Sequence, residues 1–347
     1  MDNSSQWAQE AAAMERALEL AALGIEADPN PRVGCVLLDP DGLLVAEGWH
    51  QGAGTPHAEA MALAIAGERA RGCTAVVTLE PCNHTGRTGP CAKALVDAGV
   101  ARVVFAQSDP NPMAAGGAAT LRAAGIQTEP GLMADRVEAL NATWNHVLRT
   151  GRPWVTWKFA GTLDGRSAAA DGSSQWITGA AMRRVMNERR ARCGAVVVGT
   201  GTVKADDPRL TVRDEQDEPV QRQPLRVVVG DSPVPAAARV RGRDGLYRQL
   251  PGGDATAALE ALACEGIHHV WLEGGPTLAA AWWRAGVIDE VIACLAPALL
   301  GAGTAAVSDL GITTIADISR LQLIDVERHG DDVALILNRP TPNCKEK

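Results

Sequence analysis

No run of apolar residues in this 347-residue chain approaches the roughly 18–20 that a bilayer-spanning helix needs. A membrane-spanning helix is therefore not expected. The first residues run polar and then acidic-amphipathic, without the basic start and apolar stretch of a secretory leader. An excess of positive charge is also missing: 33 Lys and Arg stand against 41 Asp and Glu, a formal charge of −8. Lacking a basic field, the chain is a poor general nucleic-acid binder, and any anionic ligand must meet locally gathered arginines. Eight unevenly spaced cysteines are too few for a disulfide scaffold at this length. They are expected to be reduced, buried or metal-bound in a cytoplasmic protein. Internal repeats and low-complexity tracts are absent.

What is present reads as ordinary globular chemistry, 46% apolar and 21% charged. The length exceeds the usual ceiling for one core and predicts two domains. Residues 14–23 read as a helix, and 32–38 with 43–48 as a hairpin turned at Asp39-Pro40-Asp41-Gly42. Then helices near 58–67, from Pro90, at 117–124 and at 134–148 alternate with strands 74–79 and 102–107. The Thr150-Gly151-Arg152-Pro153 punctuation stops the last helix and places a domain boundary between 1–150 and 151–347. The second half predicts strands at 154–160, 195–199, 225–229, 269–272 and 290–295, and a closing hairpin at 321–326 and 333–337. Helices are expected at 180–192, 256–264 and 277–284, with an irregular Pro-, Gly- and Arg-rich stretch at 231–254. Alternating strands and helices make both halves α/β.

The residues that carry chemistry gather first in Pro56-His57-Ala58-Glu59, Glu80-Pro81-Cys82 and Gly89-Pro90-Cys91. A hydrolytic zinc site needs three protein ligands and one position left for water. His57, Cys82 and Cys91 supply one imidazole and two thiolates, a soft donor set suited to zinc. Cys91 opens a helix, where unpaired N–H groups favour the thiolate. Glu59, two residues past the histidine, is placed to move a proton without ligating the metal. This is the His-x-Glu and Pro-Cys…Cys pattern of zinc deaminases, whose metal acidifies a water that attacks an amidine carbon. His-x-Glu alone would be an ordinary helix start; Pro-Cys at a strand–helix junction makes the pattern specific. The simpler motif is Pro-Cys-x-x-Cys, whereas here residues 83–90 intervene and lengthen the loop for extra substrate contacts. Cys35, Cys73, Cys193, Cys264, Cys294 and Cys344 have no ligand spacing.

In the second half, Glu273-Gly274-Gly275-Pro276-Thr277 follows a strand and opens a helix, a junction able to approach phosphate closely. It is not Gly-x-Gly-x-x-Gly, so a Rossmann domain is disfavoured. The 180–192 helix carries Arg183, Arg184, Arg189, Arg190 and Arg192, mostly a solvated face. One of them is expected to turn inward if the ligand is a sugar phosphate.

The segment Thr78-Leu79-Glu80-Pro81-Cys82-Asn83-His84-Thr85-Gly86-Arg87-Thr88-Gly89-Pro90-Cys91 resembles the bifunctional deaminase/reductases of riboflavin biosynthesis. Asn30-Pro31-Arg32-Val33-Gly34, Gly48-Trp49-His50 and Asp109-Pro110-Asn111-Pro112 agree, as do Lys158–Arg166, Ser174–Thr178, Gly201–Pro208 and Glu273–Gly275. The resemblance implies a cytidine-deaminase-like three-layer domain followed by a dihydrofolate-reductase-like domain. It implies zinc-dependent removal of the exocyclic 2-amino group of 2,5-diamino-6-ribosylamino-4(3H)-pyrimidinone 5′-phosphate, then NADPH reduction of ribosyl to ribityl. It places pyrimidine-substrate contacts at Asn30, His50, His84 and Arg87. NADPH contacts fall at Ala160, Trp176, Thr202, Asp206, Ser232 and the backbone of Gly275, Pro276, Thr277, Leu278, Ala279, Ala280 and Ala281. Ser174, Arg190, Leu210, Arg213 and Glu273 would meet the sugar phosphate. Lys158, Asp206 and a water are all candidates for the proton source in reduction. The family also implies a homo-oligomer associated through the reductase domain. Asn83 stands where the family usually has Ser, and the 231–256 stretch is short. Two other readings are weighed against this one: a zinc deaminase of another nucleoside or RNA base with a non-catalytic second domain, and a structural zinc with four protein ligands.

Overall fold

In a computed structural model the chain divides into two compact units, Met1–Gly151 and Arg152–Lys347. The structure describes residues 3–26, 28–85, 89–214 and 216–340. In the first unit, α1 (Asn3–Ala22) precedes the hairpin of β1 (Gly34–Leu38) and β2 (Leu44–Trp49). There follow α2 (Ala58–Ala66), β3 (Thr74–Leu79), α3 (Cys91–Asp97), β4 (Arg102–Gln107), α4 (Gly117–Ala123), β5 (Gln127–Pro130), α5 (Ala134–Leu140) and α6 (Ala142–Thr150). The sheet order is β2-β1-β3-β4-β5, antiparallel across the first three strands and parallel across the last three.

Alternation along the strands sends one set of side chains to each face. Cys35, Leu37, Val77 and Phe105 pack with Ala62, Ala92, Leu95 and Leu121 of α2, α3 and α4. Val36, Val76 and Val104 pack with Met14, Ala17 and Val137 of α1 and α5. The result is three layers, with the carboxyl ends of β3 and β4 delivering the loops that follow them. The hairpin turn holds because the Asp39 carboxylate accepts the N–H groups of Asp41 and Leu43, both at 2.9 Å.

Three features of this unit differ from the sequence reading. Helix α1 starts at Asn3 rather than near Met14, extended by an Ala-rich run and a Gln6–Glu10 hydrogen bond across one turn. Strand β5 is polar and largely exposed at the sheet edge, so it carries no apolar alternation. The single helix expected over 134–148 is broken at Asn141, whose buried side chain is drawn to the Arg32 backbone.

The second unit contains β6 (Trp154–Thr162), α7 (Ala180–Ala191), β7 (Ala195–Gly199), α8 (Thr200–Asp206), β8 (Leu225–Val229) and β9 (Tyr247–Leu250). It continues through α9 (Ala255–Cys264), β10 (His269–Leu272), α10 (Pro276–Arg284), β11 (Glu290–Ala296), β12 (Gln322–His329) and β13 (Asp332–Asn338). Its eight-stranded sheet runs β12-β13-β11-β6-β10-β7-β8-β9, with antiparallel pairing only at the β12-β13-β11 end. Leu259, Leu262, Ala279, Trp282 and Trp283 of α9 and α10 cover one face. Met182 and Met186 of α7 cover the other, against Val196, Val198, Trp271, Ile292 and Cys294.

The stretch read as irregular contains β9 and is organised by one buried cation. Arg226 is 1% exposed, donates to the Val240 carbonyl at 2.9 Å, and forks onto the Asp244 carboxylate. That pairing holds the Asp244 carboxyl down at about 2. Helix α8 has no counterpart among the expected elements, because its Thr-Gly-Thr start is a weak helix former.

Candidate functional site

His57 is the residue before α2, in extended conformation, so its ring projects from the helix start rather than capping it. Cys82 lies three residues beyond the end of β3, and Cys91 is the first residue of α3. The imidazole nitrogen and two sulfurs lie within 4.8 Å of one another. His57 Nδ1 is 3.6 Å from Cys82 Sγ and 3.3 Å from Cys91 Sγ. The Cys91 N–H also points at Cys82 Sγ, at 3.5 Å. Close backbone approach makes this possible. A Cβ on Gly48 would sit 2.3 Å from the Ala58 carbonyl, and one on Gly117 only 1.7 Å from the Pro81 carbonyl.

The electrostatics suit a cation. Cys82 is pulled well below the usual thiol range, chiefly by accepting a hydrogen bond from the Cys91 thiol and further by His57. Cys91 is pushed up by donating that bond and by burial. One thiolate already exists beside a second thiol, and a metal ion would replace the shared proton. Glu59, in the first turn of α2, is 4% exposed, and burial raises its carboxyl to about 7. Its charge is felt by the Cys91 sulfur, so it borders the cluster without being one of its three donors. A soft donor set, a buried pocket and an adjoining carboxyl fit zinc. No fourth His, Cys, Asp or Glu donor joins the group among the described residues.

Two of the expected substrate contacts converge here. His50 Nδ1 meets the Pro56 carbonyl at 3.1 Å, so Nδ1 carries the proton and Nε2 accepts from the Asn30 amide, also at 3.1 Å. The His50 ring stands edge-on to His57, centroids 5.4 Å apart. His84 Nδ1 is buried and without a hydrogen-bond partner among the described residues. Arg87 lies outside the described residues. The Asn83 side chain accepts from Thr120 Oγ1 at 3.0 Å, and its backbone N–H bonds the Ala114 carbonyl at 2.8 Å.

Glu80 had no role in the sequence reading, yet it is buried and organises the loops. Its carboxylate accepts the N–H of Ala118 at 3.0 Å and of Asp109 at 3.2 Å, fixing α4 and the Asp109-Pro110-Asn111-Pro112 loop beside Cys82. Asp109 is raised to about 6, first by burial and then by the Glu80 and Cys82 charges. The available signal was an acidic residue ending an otherwise apolar strand.

The reductase candidates are more dispersed. Glu273, directly after β10, accepts Arg190 Nη2 at 2.7 and 2.6 Å and Trp271 Nε1 at 2.5 Å. Burial opposes its charge, but Arg190 and Lys158 hold its carboxyl below the usual range. Arg190 is therefore the inward-turning arginine, already engaged by a carboxylate. Arg189 pairs with Glu327, and Arg184 lies 3.9 Å from Glu188 on an exposed face. Arg213 is tied to Asp217 at 2.8 Å and to Thr211 Oγ1 at 3.3 Å. Leu210 is buried at a positive φ of 56°. Lys158 and Ala160 lie on β6, paired with Ile292 and Cys294 of β11. Thr202 Oγ1 accepts the Gly275 N–H at 3.3 Å, joining α8 to the start of α10. Asp206 ends α8 and is exposed. Ser232 is half-buried, with its carbonyl bound by Gln249 Nε2 at 2.8 Å, and Ser174 is also half-buried. Trp176 is 69% exposed.

At α10, Pro276 has no N–H, so the backbone groups of Thr277 and Leu278 are the ones left without intrahelical partners. The Ala279 N–H bonds the Gly275 carbonyl at 3.3 Å, while Ala279 and Ala280 bury their methyl groups and Ala281 follows inside the helix. A helix N-terminus, a hydroxyl and an exposed indole fit a dinucleotide phosphate and ring.

Comparison with known proteins decides the family. Residues 7–107 match the cytidine and deoxycytidylate deaminase zinc-binding region, and residues 153–335 match the RibD C-terminal domain. The chain is 48% identical to riboflavin biosynthesis protein RibD of Mycobacterium tuberculosis, covering 89% of this chain and 91% of that protein. This chain belongs to the RibD family. RibD of Escherichia coli is 42% identical over 93% of this chain and 98% of its own. The solved structure of Acinetobacter baumannii RibD superposes with a TM-score of 0.89 at 40% identity, covering 96% of this chain and 99% of that one. A Thermotoga maritima diaminohydroxyphosphoribosylaminopyrimidine deaminase/5-amino-6-(5-phosphoribosylamino)uracil reductase gives 0.87 at 30% identity, with 96% and 99% covered. Family members are bifunctional deaminase/reductases of riboflavin biosynthesis, with zinc serving the first half and NADPH the second. No helix among the described residues is long and apolar enough to cross a membrane.

Proposed function

We propose that the two reactions of the family run on the residues brought together above. In the first unit, His57, Cys82 and Cys91 hold zinc, which supplies Lewis acidity and makes an attacking water easier to deprotonate. Glu59 takes that proton on its carboxylate and returns it to the departing amine. Burial favours its protonated form while a neighbouring cation would favour the carboxylate, a balance suited to a group that must both accept and donate a proton. Asn30 and His50 orient the pyrimidine, and His84 and Arg87 meet the rest of the substrate.

In the second unit, NADPH supplies hydride. Thr202, Asp206, Ser232, Ala160, Trp176 and the start of α10 hold it. Arg213, Ser174 and Leu210 bind the sugar phosphate, with Arg190 and Glu273 acting as a pre-formed pair beside it. Lys158, electrostatically close to Glu273, places positive charge where an alcohol oxygen develops and gives it a proton. We read the protein as a cytoplasmic homo-oligomer that binds no nucleic acid. Edge strand β12 supports association through the reductase unit: Leu323, Ile324 and Val326 are each more than half exposed on it.

The observation carrying this reading is the three-donor cluster bordered by Glu59. The variant Glu59→Gln keeps zinc, abolishes ammonia release, and spares reduction of the deaminated intermediate. Persistent ammonia release would show that Glu59 is not the proton carrier. Loss of both activities, or of the metal, would show a structural role instead.

A further inference from the structure

Trp176 presents a large indole to solvent, 69% exposed, on the segment that leads into α7. One of its faces is already taken. The guanidinium carbon of Arg183 lies 4.3 Å from the ring centroid. Arg183 sits in the first turn of α7, and its Nη1 donates to the Thr178 carbonyl at 2.5 Å, so the guanidinium grips the same segment that carries the indole. That segment is tied to the sheet in turn. The Gly179 N–H donates to Oδ2 of Asp332 at 2.6 Å, and Asp332 is a buried residue that begins β13. The chain of contacts therefore runs from the sheet through Asp332 and the α7 start to Arg183, and from Arg183 to the ring.

An exposed tryptophan in a short connecting segment would otherwise sample several rotamers and lose that freedom on ligand binding. A cation held against one face fixes the ring before the ligand arrives and leaves the rest of the indole for a flat heteroaromatic group. We propose that Arg183 is a positioning residue for the dinucleotide: it acts through Trp176 and contacts neither the sugar-phosphate substrate nor the reacting carbon. This rests on the reading of Trp176 as a cofactor contact.

The test is steady-state reduction with the full-length protein, varying NADPH and the deaminated substrate separately. Arg183→Gln raises KM for NADPH about three- to fivefold, the scale of an exposed cation–π contact. It leaves kcat at saturating NADPH and KM for the other substrate within twofold, and does not move the melting temperature. Trp176→Ala raises KM for NADPH by at least as much, and the double variant is no worse than Trp176→Ala alone. If Trp176→Ala leaves that KM unchanged, the cofactor reading of Trp176 falls. If Trp176→Ala raises it and Arg183→Gln does not, or the two effects add in the double variant, the positioning role alone falls.

Discussion

The two candidate sites are built in opposite ways. In the first unit the chemistry lies in donor atoms from residues 57–91: one imidazole and two sulfurs within 4.8 Å of one another, bordered by a buried carboxyl. In the second it lies in backbone N–H groups, an ion pair and an exposed ring, taken from residues 158–281 on at least five elements. A metal demands particular side chains at a helix start and a strand end, so its signature is short and specific. A dinucleotide accepts any backbone that approaches closely, so its signature is diffuse.

The largest stability effect that sharpens this contrast is expected at the ion pair. Glu273→Ala strands Arg190, 21% exposed, and removes the Trp271 partner, costing the reductase unit about 2–3 kcal/mol. Urea unfolding should show the loss and NADPH oxidation should fall, while ammonia release is unchanged. A parallel loss of deamination would mean the sites are not separable.

A pH effect of similar ceiling belongs to the same unit. Burial presses the His269 imidazole down to about 4, against an unfolded value near 6.5. The unfolded chain therefore binds the extra proton between those values, so stability is complete above pH 6.5 and declines as pH falls. By pH 4 the loss reaches about 3 kcal/mol. His269 is held by Thr156 Oγ1 at 2.8 Å and Cys193 Sγ at 3.5 Å. The urea midpoint of wild type should fall more steeply with pH than that of His269→Gln; equal slopes would refute this assignment.

The smallest expected effect is in the deaminase unit. Asn141, 2% exposed, accepts the Arg32 N–H at 2.9 Å and donates to the Arg32 carbonyl at 3.0 Å, fixing the loop that carries Asn30. Asn141→Ala should cost about 1–2 kcal/mol and raise KM for the pyrimidine while leaving zinc content intact. Loss of zinc in this variant would mean the loop supports the metal cluster and not only the substrate.

The same contrast governs how much could be read in advance. Strands buried on both faces, such as Ala195–Gly199 and Leu225–Val229, were legible to the residue from their valine runs, even with Arg226 inside the second. Strand β5 was not, since an exposed edge needs no apolar pattern, and Asn141 broke a helix through a contact 109 residues away. His57, Glu59, Cys82 and Cys91 stood out by residue type and spacing alone. Glu80, Trp271 and Arg183 did not, because their roles depend on which loop, carboxylate or ring lies across from them. Without the family resemblance, the Gly274-Gly275 junction would have passed as a tight turn.

The most direct test of the account is metal analysis of the freshly purified, full-length protein beside its Cys82→Ser variant. The account predicts about one zinc per chain in the first and a large loss in the second. A metal-free wild type, undiminished zinc in the variant, or Cys82 joined to Cys91 as a disulfide would contradict it.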